Sequence, residues 1–422
     1  MVRIPFLKHL KLNLLILLLL SCSRSSDSDS LILKELDIES SVGGGKIVPL
    51  SEVASEIQYI KLETTDSSLI EYNRSVFIEN DRIYVRSGAK KHLTVFDMQG
   101  KFLFRFDRRG RGAEEYSHVQ RVDIEPGTGN ILISDYTNLK LYDRDGKFLK
   151  IIEFPIIEKS YFNFAGFLSK DTLIAAPNNA SPDSKAFVIF NKESEVLKTL
   201  PMPFLPESVT KVNFATSNAT AYSVSSSSNI VRGKDRSVIY YMECDTLYSL
   251  DKKLDYIPVY KLKFGKYINR KARRKDMDRV SGKHISISTV KTNQAAFETS
   301  DYLCVSYNLR DYAHEKSIFE VNSSKKEIYL SECISLYNKR TETFTFLNHP
   351  QKGRSGFKED FCNGPAFFPM TTTSGNSIVS LLTAGYMIEY ASQNAVEGAL
   401  KEIVATLKEG DNPVVAIAKL KN

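Results

Sequence analysis

One unit recurs along this chain: an apolar strand, a turn, a second apolar strand ending in an aromatic residue and Asp, and a hairpin closed by Gly. The first copy runs from Ile83-Tyr84-Val85 through Leu93-Thr94-Val95-Phe96-Asp97 to Gly100-Lys101-Phe102-Leu103. The second runs from Ile131-Leu132-Ile133 through Leu139-Lys140-Leu141-Tyr142-Asp143 to Gly146-Lys147-Phe148-Leu149. The two glycines lie 46 residues apart, and a worn third copy, Phe187-Val188-Ile189-Phe190-Asn191, puts Phe190 48 residues beyond Tyr142. Gly accepts a positive φ and the Asp carboxylate bonds the turn backbone, so Asp-x-x-Gly makes a tight hairpin. A four-stranded sheet of this kind cannot bury both faces alone. Arranged radially, several such sheets cover one another and leave only short edges. The expected fold is all-β, a six-bladed β-propeller.

Later copies are more degraded. Val238-Ile239-Tyr240-Tyr241, Thr246 to Asp251 and Ile257 to Leu262 supply a fourth blade. Tyr302 to Ser306 with Ile318-Phe319-Glu320-Val321 supplies a fifth, and Ser377 to Leu382 belongs to a sixth. Val396, Leu400, Ile403 and Leu407 fall at helical spacing, with Ser392 as N-cap and Gly410 and Pro413 as terminators. One helix inserted in the last blade is therefore predicted, with Val414 to Leu420 resuming as a strand. Ile57 to Leu62 is placed to close the ring beside that blade.

The N-terminus carries a compartment signal. Arg3, Lys8 and Lys11 precede the apolar run Leu12 to Leu20, which is too short to span a bilayer and reads as a secretory leader. It ends in Leu19-Leu20-Ser21-Cys22, which resembles a bacterial lipobox. That resemblance implies removal of residues 1–21 and lipidation of Cys22. Residues 22–45 are expected as lipidated Cys and flexible tether, because Ser23 to Ser30 offers no core-forming side chain. Residues 46–422 are expected as the propeller. The formal charge of +7 falls to +4 once the three leader cations are gone, 54 Lys and Arg against 50 Asp and Glu. The only basic cluster, Arg270 to Lys275, reads as an exposed helix or loop, and no nucleic-acid partner is expected. Cys244, Cys304, Cys333 and Cys362 either stay as buried free thiols or pair in one of three ways.

Other stretches carry a family resemblance. Ile47-Val48-Pro49-Leu50-Ser51-Glu52-Val53 leads into Tyr59-Ile60-Lys61-Leu62-Glu63-Thr64-Thr65. Arg109-Gly110-Arg111-Gly112-Ala113-Glu114-Glu115-Tyr116, Asp143 to Phe148, Asp245-Thr246-Leu247-Tyr248 and Asp411-Asn412-Pro413-Val414-Val415 follow in order. Together they resemble the six-bladed β-propeller lipoproteins of Bacteroidota, related to NHL-repeat propellers. The resemblance covers roughly residues 46–420. It implies an exported, lipid-anchored propeller, and no settled activity, because one fold hosts many functions.

For chemistry, the loop with Arg109, Arg111, Glu115 and Tyr116 is the most charged. Arg forks there can grip a carboxylate or sulfate and Tyr116 can stack on a sugar, or the loop is a connector whose glycines set a turn. Asp135 follows an inner strand and either faces the central channel or caps a turn. His92, His118, His284, His314 and His349 read as lone surface histidines, and neither HExxH nor GxSxG occurs. No catalytic residue, metal or cofactor is expected. The expected function is a lipid-anchored binding or interaction module at the outer membrane, on its periplasmic or cell-surface face. Its partners would be the membrane through Cys22 and a glycan, peptide or envelope protein. The alternative is a propeller enzyme of the lyase or lactonase type with a metal held in the central channel by oxygen or His ligands.

Overall fold

The computed structural model describes residues 33–71, 75–87, 92–135, 137–156, 162–177, 185–201, 210–213, 220–223, 228–233, 236–241, 244–267, 291–292, 297–309, 317–321, 326–330, 332–374 and 376–421. Cys22, the leader, the basic cluster at 270–275, His284 and His314 lie outside these residues. The chain forms six small sheets in a ring, a six-bladed β-propeller. Strand β1 (Lys34–Asp37), helix α1 (Ile38–Ser41) and β2 (Ala54–Lys61) come first in the chain but belong to later blades. Blade 1 is β3 (Ser75–Glu79), β4 (Arg82–Arg86), β5 (Leu93–Asp97) and β6 (Phe102–Phe106). Blade 2 is β7 (Arg121–Ile124), β8 (Ile131–Ser134), β9 (Asn138–Tyr142) and β10 (Phe148–Glu153). Blade 3 is β11 (Phe162–Ser169), β12 (Thr172–Pro177), β13 (Lys185–Asn191) and β14 (Val196–Pro201).

A separate hairpin, β15 (Thr210–Asn213) and β16 (Thr220–Ser223), precedes blade 4. That blade holds β17 (Ser228–Arg232), β18 (Arg236–Tyr241), β19 (Thr246–Asp251) and β20 (Tyr256–Lys263), with β1 added in parallel to β20. Blade 5 is β21 (Lys291–Thr292) and β22 (Phe297–Glu298), which both pair with β23 (Tyr302–Asn308), then β26 (Glu332–Asn338) and β27 (Thr343–Phe346). Between β23 and β26 stands the hairpin β24 (Ser317–Val321) and β25 (Lys326–Leu330). Blade 6 is β28 (Thr371–Thr372), β29 (Ser377–Leu382) and β30 (Val414–Leu420), completed by β2. Helices α2 (Ala384–Gln393) and α3 (Gly398–Thr406) lie between β29 and β30.

Closure joins the two ends of the described chain. β2 runs antiparallel to β30 from Ala54 opposite Leu420 to Lys61 opposite Val414. Each blade then shares an apolar core with its neighbour on either side. Ile83 and Val85 of β4 pack with Ile60 and Val379 of blade 6, while the intervening Tyr84 packs with Val122 and Ile131 of blade 2. Alternate side chains of one strand thus enter two different cores, which is why the middle strands read as nearly continuous apolar runs. Equivalent cores lie between blades 2 and 3, 3 and 4, 4 and 5, and 5 and 6.

The hairpin motif repeats with fidelity. The Oδ1 atoms of Asp97, Asp143, Asn191, Asp251 and Asn338 each accept two backbone N–H bonds across the turn, at 2.8 to 3.1 Å. The residue at positive φ is Gly100, Gly146, Ser194, Leu254 and Glu342 in turn. Side-chain acceptance survives in all five while glycine survives in two, so the Asx bond is the more persistent device. These turns also dock blades: the Gly100 carbonyl accepts from Glu63 N at 2.8 Å, and Ser194 Oγ donates to Glu153 O at 2.8 Å.

Three expectations need correction. The helix expected from Ser392 onward is α3, which begins at Gly398, and a second helix, α2, precedes it: Thr383 caps α2 and Ser392 sits in its last turn. Ile318 to Val321 is not a blade strand but half of the inserted hairpin; the third strand of blade 5 is β26. Lys34 to Asp37, expected as tether, is strand β1, because Leu36 and Ile38 are buried in the core between blades 4 and 5. All four cysteines described are free thiols, with Cys304 and Cys333 buried. No helix among the described residues is long and apolar enough to cross a membrane.

Gly100 has φ +81°, and a Cβ there would lie 2.1 Å from Lys61 O; Gly127 has φ +79° and nothing within 4 Å. Gly127→Ala should therefore cost only the left-handed backbone penalty, about 1–2 kcal/mol. Gly100→Ala should cost that plus displacement of the closing strand, about 1–3 kcal/mol more. Urea denaturation measures both, and equal losses would contradict the docking of this turn against β2.

Candidate functional site

Loop length divides the ring into two faces. On one, the turn face, every first-to-second and third-to-fourth strand connection is short, the longest being the six residues 125–130. On the other, the crossover face, lie the connections from each blade's outer strand to the next blade's first strand, and those from second to third strands. These include 107–120, 202–227 with β15 and β16, 309–331 with β24 and β25, 347–370, and 383–413 with α2 and α3. Long loops on a rigid scaffold are where binding residues concentrate.

The charged loop 107–120 is on this face, and its own bonds occupy much of its chemistry. Arg109 Nε donates to Asp107 Oδ1 at 2.7 Å. Glu115 folds back so that its Oε2 accepts from Gly112 N at 2.8 Å, filling the space where Gly110 lacks a side chain. Tyr116 is 0% exposed, its ring packed against Phe106 and Tyr142 and its hydroxyl accepting from Arg108 N at 3.1 Å. It is a core anchor and cannot offer its ring to a sugar, which corrects that expectation. Tyr142 and Lys140 reach up to the Glu114 and Ala113 carbonyls. Arg111 is exposed. Asp135 is 6% exposed, and its Oδ2 accepts from both Ser117 N and Ser117 Oγ at 3.2 Å, fastening the loop to the turn of blade 2. His92, read as a surface residue, is buried at 3% exposure, and its pKa is lowered first by that burial and then by Arg105.

The more consequential charges are in the middle of the ring. The first strands of the blades lie against one another around the axis: β28 by β3, β3 by β7, β7 by β11, and β17 by β22. Asp123 of β7 is 2% exposed. Its Oδ1 accepts from Ile124 N at 2.9 Å, and its Oδ2 accepts from Phe167 N of β11 at 2.8 Å and from Arg232 of β17. Arg232 Nε also donates to Phe167 O at 2.7 Å, so one carboxylate and one guanidinium tie blades 2, 3 and 4 together. Gly166 makes room, since a Cβ there would meet Asp123 Oδ2 at 2.6 Å. Arg121, two residues before Asp123, approaches the same glycine. Burial pushes its pKa down to about 10; Asp123 opposes the fall, while Arg232 and Arg86 of β4 add to it. Arg86 is lowered by burial, and its Nε is buried without a hydrogen-bond partner among the described residues.

The buried carboxylate of blade 5 has a different balance. Glu298 accepts from Arg236 Nε at 2.9 Å, from Lys339 Nζ at 2.8 Å and from the Tyr260 hydroxyl at 2.9 Å. Burial alone would raise its pKa, but the bonds from Arg236 and the charge of Lys339 hold it below the usual range. This cluster is a satisfied joint between blades 4 and 5. Among the described residues no three His, Cys, Asp or Glu side chains gather as metal ligands. Sequence reasoning missed Arg86, Arg121, Asp123 and Arg232. The available signal was a charged pair, Arg121 and Asp123, inside a short strand beginning a blade.

A family model described as "Domain of unknown function (DUF4934)" matches residues 33–419. A comparison with curated proteins gives no match. Among solved structures, a candidate exported protein of Bacteroides fragilis superposes with a TM-score of 0.61 at 16% identity, covering 92% of this chain and all of that one. A member of the DUF4221 family from Bacteroides vulgatus gives a TM-score of 0.46 at 12% identity, covering 88% of this chain and 98% of that one.

Asp123→Asn should lower stability by about 1.5–3 kcal/mol, because it removes the charged acceptor of the half-buried Arg232 guanidinium. Urea denaturation with an unchanged slope measures this, and a loss below about 1 kcal/mol would mean that the tie between blades 2, 3 and 4 is dispensable.

Proposed function

We propose that this chain, which belongs to the DUF4934 family, works as an exported, lipid-anchored binding module that engages a glycan, peptide or protein on its crossover face. The observation that carries this reading is the confinement of every long connection to that face, while the turn face keeps only short hairpins. Function placed on variable loops over a rigid ring is the usual division of labour in such a scaffold. The lipobox-like Leu19-Leu20-Ser21-Cys22 supports anchoring, and a similar fold in a candidate exported protein of Bacteroides fragilis accords with export. Eleven residues lie between Cys22 and the start of β1 at Lys34, a reach of at most about 40 Å. A propeller held that closely by its blade 4 edge would stay near the bilayer yet be able to pivot.

Two measurements test this reading. Metabolic labelling with palmitate should mark the chain in the membrane fraction, and Cys22→Ser should abolish the label and release the protein; persistence of the label would refute the anchor. The full chain in detergent, screened on glycan and peptide arrays, should give binding that Arg108→Glu with Arg111→Glu on the crossover face reduces about tenfold or more. Lys147→Glu with Lys253→Glu on the turn face should leave it unchanged. Binding lost only in the turn-face variant would overturn the assignment of the face.

A further inference from the structure

We infer that Arg354, stacked on Tyr386 and flanked by Tyr390, forms a binding site on the crossover face for an acidic sugar, a pyranose that carries a carboxylate. The inference rests on the reading that a ligand binds on that face, and it names the ligand's chemistry and its place. Both elements that build the site belong to that face: the connection 347–370 and helix α2.

Direct contacts hold the site. Arg354 Cζ lies 4.0 Å from the Tyr386 ring centroid, the closest approach of a cation to a ring among the described residues. A tight turn fixes the arginine backbone. Gln351 and Arg354 form an antiparallel bridge, Arg354 N donates to Gln351 O at 3.0 Å, and Gly353 between them has φ +72°. The same turn holds the ring, because the Tyr386 hydroxyl donates to Gln351 Oε1 at 2.7 Å. Tyr390 follows one helical turn later. Its ring centroid is 6.4 Å from that of Tyr386, and its hydroxyl donates to Asn363 O at 3.2 Å. Both phenols are therefore tied at their hydroxyl ends, and both residues stay partly exposed.

The ring contact positions the guanidinium without using its N–H groups. The Arg354 side chain makes no hydrogen bond and no ion pair among the described residues. Arg82, Arg109, Arg232, Arg236 and Arg340 instead direct theirs at carboxylates. The acidic groups near the two rings do not fill that role. Glu359 acts on Tyr390 but is buried, its oxygens accepting from the Phe361, Cys362 and Gly364 amides. Glu389 acts on Tyr386 but is exposed and makes no ion pair with Arg354. A fixed guanidinium fork with unspent donors matches a carboxylate through two parallel bonds. The rings beside it, with their hydroxyls already engaged, offer apolar faces that suit the C–H face of a sugar. Asn363, exposed at the edge, spends Nδ2 on Ala395 O and keeps Oδ1 to accept from a sugar hydroxyl.

The test is calorimetric titration of the full chain in detergent with sodium glucuronate, glucose and sodium acetate at constant ionic strength. Saturable binding of glucuronate to one site is expected, with glucose and acetate each about tenfold weaker or more. Arg354→Met should bring glucuronate down to the level of glucose. Arg354→Lys should recover only part of that loss, because lysine lacks the planar fork. It also carries the test if the methionine variant does not unfold cooperatively in urea. Tyr390→Ala should weaken glucuronate about threefold or more. Absence of saturable glucuronate binding, glucuronate held no tighter than acetate, or binding unchanged in both Arg354 variants would overturn the site. So would an array peptide held at Arg354 by its C-terminal carboxylate while no acidic sugar binds. Array binding reduced by Arg108→Glu with Arg111→Glu but not by Arg354→Met, without glucuronate binding, would overturn this site and leave the broader reading intact. Array binding lost only in the turn-face variant would overturn the broader reading, while glucuronate binding lost in Arg354→Met would still uphold the site.

Discussion

Every blade of this molecule depends on its neighbours to bury its two faces. An isolated four-stranded sheet would leave one full side of β4, β8 or β12 in water, and each buried Ile, Phe or Val side chain contributes about 1.5–3 kcal/mol only when covered. The six inter-blade cores are therefore mutual, and the ring is stable only if it closes. β2 makes that closure by pairing with β30 across almost the whole length of the chain. Polar joints then fix the angle between blades. Asx-bonded turns dock beneath the preceding outer strand, and Asp123 with Arg232 and Glu298 with Arg236 span blade boundaries.

Those polar joints are not equivalent, and the difference is informative. Glu298 takes hydrogen bonds from Arg236, Lys339 and the Tyr260 hydroxyl, each within hydrogen-bonding distance. Near Arg121, Asp123, Arg232 and Arg86 from three blades all act on one guanidinium, and burial outweighs them. The long connections and the α2–α3 insertion gather on one face of the ring.

Much of the fold was legible in the sequence because propeller blades are local. The Asp97 and Asp143 turns and the strands around Ile83, Ile131 and Val238 follow from patterns within about fifty residues, and the closing role of Ile57 to Leu62 follows from the strand that the last blade lacks. What escaped depended on distance. β1 was hidden because its partner, β20, lies over two hundred residues away and Leu36 alone is a weak signal. The β24–β25 insertion was misread as a blade strand because its apolar alternation is as good as that of β26. Ser392 reads as a helix start because the apolar spacing from Val396 to Leu407 follows it, yet it belongs to the last turn of α2. In the candidate site, loop charge drew attention to Arg109, Glu115 and Tyr116, whose chemistry is largely spent within the loop and its core contacts. Arg86, Arg121 and Arg232 come from strands of three blades, and only the folded ring brings their charges together.

The dependence of the ring on closure can be measured directly by native-state hydrogen exchange. Amides of β2 at Ile57, Tyr59 and Ile60 should exchange only through global unfolding, with the same free energy and denaturant slope as central amides such as Leu132 in β8. Exchange of β2 through a cheaper local opening, while the other five blades stay protected, would show that the blades stand without closure and would contradict this account.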